Sequence, residues 1–254
     1  AAIPHKSRLF RFILDLSFQL MVDGERMPSV NSSTTKTAKQ QSMSQLGQAI
    51  KRIINTMAQA CKKDPAQRFH FAKLDIKDGF WRLAVSDEDA WNFCYVLPSE
   101  DGEVALDEVE IVVPNALQMG WAESPPFFCS ASETGRDVIE SLLKEESLPS
   151  HQMESLMFEE KFVYGVAAKD TINLVEVFVD DYIAITNDTS QANILHLSRA
   201  MLHGIHSVFP PTAITGHNGE DPIAQKKLMA GEGLWQEEKE ILGWIIHGGK
   251  YTIS

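Results

Sequence analysis

The run VEVFVDDYIAIT, residues 175–186, sets two carboxylates, Asp180 and Asp181, side by side in an otherwise apolar, β-branched segment. Its flanks predict strands Val175–Val179 and Tyr182–Thr186 joined at Asp180-Asp181. Two-residue hairpin turns favour Asn-Gly or Asp-Gly because positive φ is needed, so Asp-Asp is a poor choice for the turn alone. An isolated pair of this kind reads first as a charged, solvated hairpin tip. A third carboxylate changes that reading. Asp75 ends another apolar strand, in RFHFAKLDI (68–76), and a split βαβ order would lay that strand antiparallel beside the hairpin. Three carboxylates at one end of a sheet repel unless cations neutralise them. Mg²⁺ suits, with Mn²⁺ as an alternative, because it takes oxygen ligands and leaves room for water and substrate phosphate. Two such ions about 4 Å apart form the clamp of in-line phosphoryl displacement.

Several elements must position these groups. LFRFILDL (9–16) alternates as a half-buried strand. Residues 29–45 are polar and Ser/Thr-rich and read as a loop. From Ser44, Leu46, Ile50, Ile53, Met57 and Ala60 recur at helical spacing. The Asp75 strand enters a KDG turn, and FWRLAV after it reads as a second strand. Ser124-Pro125 marks a helix start, the hydroxyl being able to satisfy an orphan amide; Phe128, Ser132, Gly135, Ile139 and Leu142 form its stripe. Residues 144–172 suggest a short helix and a hairpin. Ile194, Leu197, Met201, Ile205 and Val208 predict another helix, on whose surface His196, His203 and His206 would lie. GHNGEDP reads as a loop, and the end, KEILGWIIHGGKYTIS, as two strands around Gly248-Gly249.

KLDIKDGFWRL, LQMGWAESPPFF and VFVDDY occur in this order and resemble the successive A, B and C motifs of reverse transcriptases, most nearly the LTR-retrotransposon and retroviral type. RLFRFILDLS is similar to that family's fingers strand, and EILGWIIHGG to its primer-grip hairpin. The resemblance covers essentially the whole chain. It implies an α+β fold: a right-hand polymerase palm, with a split βαβ, ferredoxin-like antiparallel sheet and helices on one face, plus a fingers subdomain. Fingers would span 1–68 and return at 87–118. The palm would take 69–86 (motif A) and 119–240 (motifs B, C and D), and the primer-grip hairpin 241–254; thumb, RNase H and integrase would be absent.

The implied activity is RNA-directed DNA synthesis by two-Mg²⁺ nucleotidyl transfer. Asp75, Asp180 and Asp181 match the metal-binding triad, and the carbonyl of Ile76 would complete one site. Asp78 and Gly79 match positions whose amides lie near the triphosphate, and Phe80 the ring that excludes a 2′-OH. Arg11 matches the fingers arginine along the triphosphate, and Lys6 is a looser match. Gly120 fits motif B, whereas Met119 stands where many relatives carry Gln. Lys227, or its neighbour Lys226, would protonate pyrophosphate, with a plain surface lysine as the alternative. Phe178, Val179, Leu242, Gly243 and Trp244 would face primer or template. An RNA-dependent RNA polymerase palm shares the triad, but it usually has Gly before the Asp pair and no bulky sugar gate. A decayed or incomplete copy acting only as a nucleic-acid-binding or structural module is the other alternative.

The 254 residues allow one domain or two intimate subdomains, and 44% hydrophobic with 23% charged residues is ordinary for a globular chain. No apolar run approaches the ~18 residues of a membrane span. The start is no signal peptide, and without an initiator Met the chain reads as a piece of something longer, such as a polyprotein. Three scattered cysteines make no disulfide framework, so an intracellular setting, cytoplasmic or nuclear, is expected. The formal net charge of −12 opposes nucleic-acid binding. It is tolerable if the family's basic surface lies mostly beyond this segment, and bound Mg²⁺ would offset part of it. The expected partners are an RNA or DNA template-primer and dNTPs.

Overall fold

A computed structural model describes residues 2–3, 11–34, 48–97, 109–159, 161–211 and 220–254. Strands β1 (Ala2–Ile3), β2 (Arg11–Phe12), β3 (Met21–Val22) and β4 (Glu25–Arg26) precede helices α1 (Val30–Ser33) and α2 (Ala49–Lys63). Then come β5 (His70–Asp75), α3 (Asp87–Ala90), β6 (Tyr95–Val96), β7 (Ile111–Val112) and α4 (Ser124–Leu142). Strands β8 (Asn173–Phe178) and β9 (Asp181–Thr186), helices α5 (Gln191–Val208) and α6 (Gln225–Met229), and strands β10 (Glu238–Ile241), β11 (Trp244–His247) and β12 (Thr252–Ile253) follow. The result is a mixed α and β chain with small antiparallel sheets, and it divides into two compact units, 1–38 with 78–128 and 39–77 with 129–254.

The larger unit centres on an antiparallel sheet ordered β5-β9-β8. Central β9 has a neighbour on each side, so Tyr182, Ile183, Ala184, Ile185 and Thr186 are all fully buried. That continuous burial is why the segment lacks apolar–polar alternation. Helix α2 packs on this sheet because Ile53, Met57 and Ala60 fall on one face; they share a core with Phe69, Phe71, Ile183, Ile185, Ile241 and Ile246. A division at residue 68 would separate α2 from the sheet whose core it completes. Lys62 and Lys63 complement the dipole at its end, and Pro65 follows. Arg52 reaches from α2 to grip Glu176 of β8, buried to 2% exposure, through both carboxylate oxygens.

Helices α4 and α5 complete the unit. The Ser124 hydroxyl donates to the Gln118 carbonyl (2.8 Å) rather than accepting from its helix's amides. Further along α4, Gly135 leaves room for Tyr182, whose hydroxyl donates to the Ser132 carbonyl (2.8 Å). Helix α5 starts at the cap Ser190 and buries Ile194, Leu197, Met201 and Ile205. Of 144–172, the short helix is a 3-10 turn at Glu154–Met157, and no hairpin forms among the described residues.

Several expectations change. The last segment forms three strands: β11 and β12 pair around a turn that holds Gly248-Gly249, as expected, and β10 adds a further strand that turns into β11 at Leu242-Gly243. Both turn residues have positive φ (51° and 82°), the type I′ pattern that matches strand twist. In the β8–β9 hairpin Phe178 pairs with Asp181, so the turn is Val179-Asp180, and Asp181 begins β9.

In the smaller unit FWRLAV is extended only at residues 83–85, which bridge antiparallel to residues 115–117. Asp78 turns left-handed (φ 54°) and Gly79–Arg82 coil as a 3-10 turn, with Phe80 edge-on to Phe128 at 5.4 Å. The 9–16 strand reduces to β2 in the described residues. Asp15 stops it, taking the Ser17 amide on its carboxylate (3.1 Å) and the Phe18 amide on its carbonyl (3.2 Å), an Asx-type turn. Within 29–45, Ser29 caps the single turn α1; residues 35–47, with the expected start of α2, lie outside the described residues. So does most of GHNGEDP.

Candidate functional site

Strands β5 and β9 run antiparallel in a register that sets Asp75 directly opposite Asp181. Residues paired in this way project from the same sheet face with Cβ atoms about 5 Å apart. The register matters to packing: a one-residue slip would exchange the two faces of β5 and carry Phe71 away from Ile183 and Ile185. Asp180, in the adjoining turn, accepts the Ile76 amide on its carbonyl (2.9 Å), which ties the end of β5 to the hairpin tip. All three carboxylates therefore stand at one end of the sheet. Val179 holds φ 55°, an uncommon conformation for a β-branched residue and a local strain at this tip.

Two lysines serve as counter-charges. Lys227 Nζ contacts Asp75 Oδ1 at 2.7 Å, and Lys73 Nζ lies 3.6 Å from Asp181 Oδ1 and 3.3 Å from Glu232. Four carboxylates, Asp75, Asp180, Asp181 and Glu232, thus face two ammonium groups. Burial raises the Asp180 carboxyl above the usual range, with the charge of Asp75 adding to it. Burial likewise raises Asp181; Lys73 opposes this, while Asp75 and Asp180 add to it. Burial works against the Lys227 ammonium, but the hydrogen bond and charge of Asp75 hold its pKa above the ordinary lysine value. Asp181 Oδ1 is buried without a hydrogen-bond partner. A buried charged oxygen in that condition is costly unless a cation is near.

Among the described residues no group of three or more His, Cys, Asp or Glu side chains is placed so that it could hold a metal ion. By type, the donors are those a hard divalent cation takes: all are carboxylate oxygens, and one is buried without a hydrogen bond.

The remaining residues sort by unit. In the larger one, Lys226 and Lys227 are both exposed, and it is Lys227 that reaches the carboxylates. Phe178 pairs across from Asp181. Leu242 and Gly243 form a turn, and Leu242 packs on the core while Trp244 is 53% exposed. In the smaller unit Asp78, Gly79 and Phe80 occupy the turn around Phe128. Gly120 (φ 111°) admits no side chain, since a Cβ would strike the Leu14 carbonyl. Asn31 binds this segment at both ends, donating to the Gly120 carbonyl and accepting the Ala122 amide, each at 2.9 Å. Met119 is half-buried. A cavity of about 740 Å³ in this unit, lined by Val30, Leu83, Val85, Phe93, Leu117 and Trp121 among others, includes none of the expected nucleotide contacts. Arg11 lies in β2, and Lys6 is outside the described residues.

Two features escaped the sequence reading. Lys73 stands two residues before Asp75, hence on the same strand face, and period-two reasoning could have found it. His206 is no surface residue: it bonds both His151 (3.0 Å) and Asp221 (3.0 Å). No periodicity links those three positions.

No protein-family model matches the chain, and no curated protein does. Solved structures similar to it include apo telomerase from Candida tropicalis truncated from its C-terminal domain, at 13% identity and TM-score 0.49, covering all of this chain. Telomerase from Candida albicans in complex with a TWJ fragment of telomeric RNA is similar at 12% identity and TM-score 0.41, over 80% of this chain. The chain spans 54% of the first and 34% of the second.

Proposed function

We propose that this chain is the nucleotidyl-transfer part of a reverse transcriptase of retroelement type, joining dNTPs to a primer 3′-OH on an RNA or DNA template. One observation carries the reading: Asp75 stands across from Asp181, beside Asp180, and an oxygen of this cluster is buried without a hydrogen bond. The A, B and C motif order supports it.

In this reading Asp75, Asp180, Asp181 and the Ile76 carbonyl hold two Mg²⁺ ions. When bound, the ions supply charge neutralisation at the attacking and leaving oxygens of phosphoryl transfer. The protein's share is orientation. The β5–β9 ladder and the Ile76–Asp180 hydrogen bond fix the carboxylates before substrate arrives, so little reorganisation remains for the reaction itself. Lys73 limits the repulsion among them. Lys227, kept protonated beside Asp75, carries a proton at Nζ that can pass to the leaving pyrophosphate. Phe80, braced by Phe128, is the ring that screens the sugar, and Arg11 the guanidinium that binds triphosphate. Strand Trp244–His247 and its turn face the primer. The rest of a polyprotein, with thumb, RNase H and integrase, would supply the remaining template grip.

The test is magnesium-dependent primer extension on an RNA template, with Mn²⁺ binding followed in parallel by electron paramagnetic resonance. Asp180→Asn and Asp75→Asn should each lower extension at least a hundredfold, about 3 kcal/mol of barrier, and weaken Mn²⁺ binding. If the wild-type chain bound no Mn²⁺ and extended no primer, the proposal would fall. Extension indifferent to both substitutions would sink it equally.

A further inference from the structure

A second polar cluster lies in the larger unit, where the last turns of α5 meet the loops at 149–153 and 220–224. The Met153 amide donates to His151 Nδ1 (3.1 Å), so that nitrogen carries no proton. The proton of a neutral His151 is then on Nε2, which faces His206 Nδ1 at 3.0 Å. His206 must accept there, which leaves its own proton on Nε2, 3.0 Å from Asp221 Oδ1. The chain of bonds has one direction, and each imidazole is held as a single tautomer. His203 packs edge-on to His151 at 4.9 Å and is anchored at the Pro149 carbonyl (3.0 Å).

The chain ends at the carboxylate site. Asp221 Oδ1 also accepts the Ile223 amide (2.8 Å). Around that amide, the Pro222 carbonyl accepts from Lys77 (2.8 Å) and the Ala224 amide donates to the Asp75 carbonyl (2.9 Å). Ala224 caps α6, the helix that carries Lys227 to Asp75.

We propose that His206 is a positioning residue: through Asp221 it sets the 221–224 backbone against the end of β5, and so fixes where Lys227 meets Asp75. It rests on the nucleotidyl-transfer reading only for its consequence on rate; the backbone effect is independent of that reading. A side chain that merely filled space between α5 and the loop would not need two nitrogens of opposite role. Phe fills the same space with neither. Gln offers one donor and one acceptor.

Amide hydrogen exchange on the full chain tests this. In His206→Phe the amides of Lys77, Ile223 and Ala224 should exchange at least tenfold faster, with Ile183 in β9 unchanged, and His206→Gln should restore much of the protection. Primer extension should show kcat falling in His206→Phe with KM for dNTP unchanged, and recovering in His206→Gln. Nitrogen-15 NMR of the wild-type imidazoles requires no variant to fold, and should find His206 and His151 both as the Nε2–H tautomer at neutral pH. Unchanged exchange at the three amides, acceleration spread equally into β9, or the Nδ1–H tautomer at His206 would each overturn the proposal. So would altered exchange with unaltered kcat. Failure of the Asp180→Asn test would instead remove the catalytic reading and leave the exchange result intact.

Discussion

Asp181→Asn should make the metal-free chain more stable at neutral pH. The Asp181 side chain is 17% exposed, one of its oxygens is buried without a hydrogen bond, and the Lys73 ammonium stands 3.6 Å away. Burial, with Asp75 and Asp180 nearby, pushes its carboxyl up to about 6 from an ordinary 3.8. The folded value thus lies above the unfolded one. The folded state binds more protons between about pH 4 and pH 6, and stability falls as pH rises through that window. At about 1.4 kcal/mol per pH unit, the ceiling is about 3 kcal/mol at pH 7. The neutral amide removes this cost, and Lys73 keeps Glu232 at 3.3 Å as its partner. Urea unfolding in EDTA should show the variant ahead by about 1–3 kcal/mol at pH 7, with the gap closing toward pH 4. Adding Mg²⁺ should reverse the order, since binding stabilises only the chain that keeps the ligand. A variant equal to or less stable than wild type at pH 7 in EDTA would refute the claim that this carboxylate is held at a cost.

Gly204→Ala should cost about 1–3 kcal/mol of stability by equilibrium unfolding, because the methyl would press on the Ile139 side chain and lie 3.2 Å from its backbone nitrogen. Parity with wild type would mean that α4 and α5 separate without penalty. Phe80→Val should raise ribonucleotide incorporation thirty- to a hundredfold, about 2–3 kcal/mol of discrimination, in competing dNTP and rNTP extension. An unchanged sugar preference would reduce Phe80 to packing against Phe128.

The buried apolar run of β9, the face of α2 and the stripe of α5 were legible in the sequence, because periodicity and β-branched content report burial directly. The three aspartates were legible too, as the polar interruptions of apolar strands. Turn positions were not. Asp180-Asp181 looked central, yet pairing Phe178 with Asp181 moves the turn back by one residue, and Leu242-Gly243 makes a turn of its own ahead of the expected one at Gly248-Gly249. A turn is set by strand register, and register is chosen by which residues the opposite strand and the covering helices bury. FWRLAV has strand-like composition, but the left-handed Asp78 and the contact of Phe80 with Phe128 coil its first half. The pairing of Lys73 with Asp181 and Glu232, that of Lys227 with Asp75, and the path from His151 through His206 to Asp221 belong to tertiary structure alone. The partners are 15 or more residues apart, and only packing brings them within a few ångströms, where burial from water strengthens their interaction. The sequence determined which side chains could do chemistry; the fold decided which of them stand together, because the energy of a charge depends on what surrounds it.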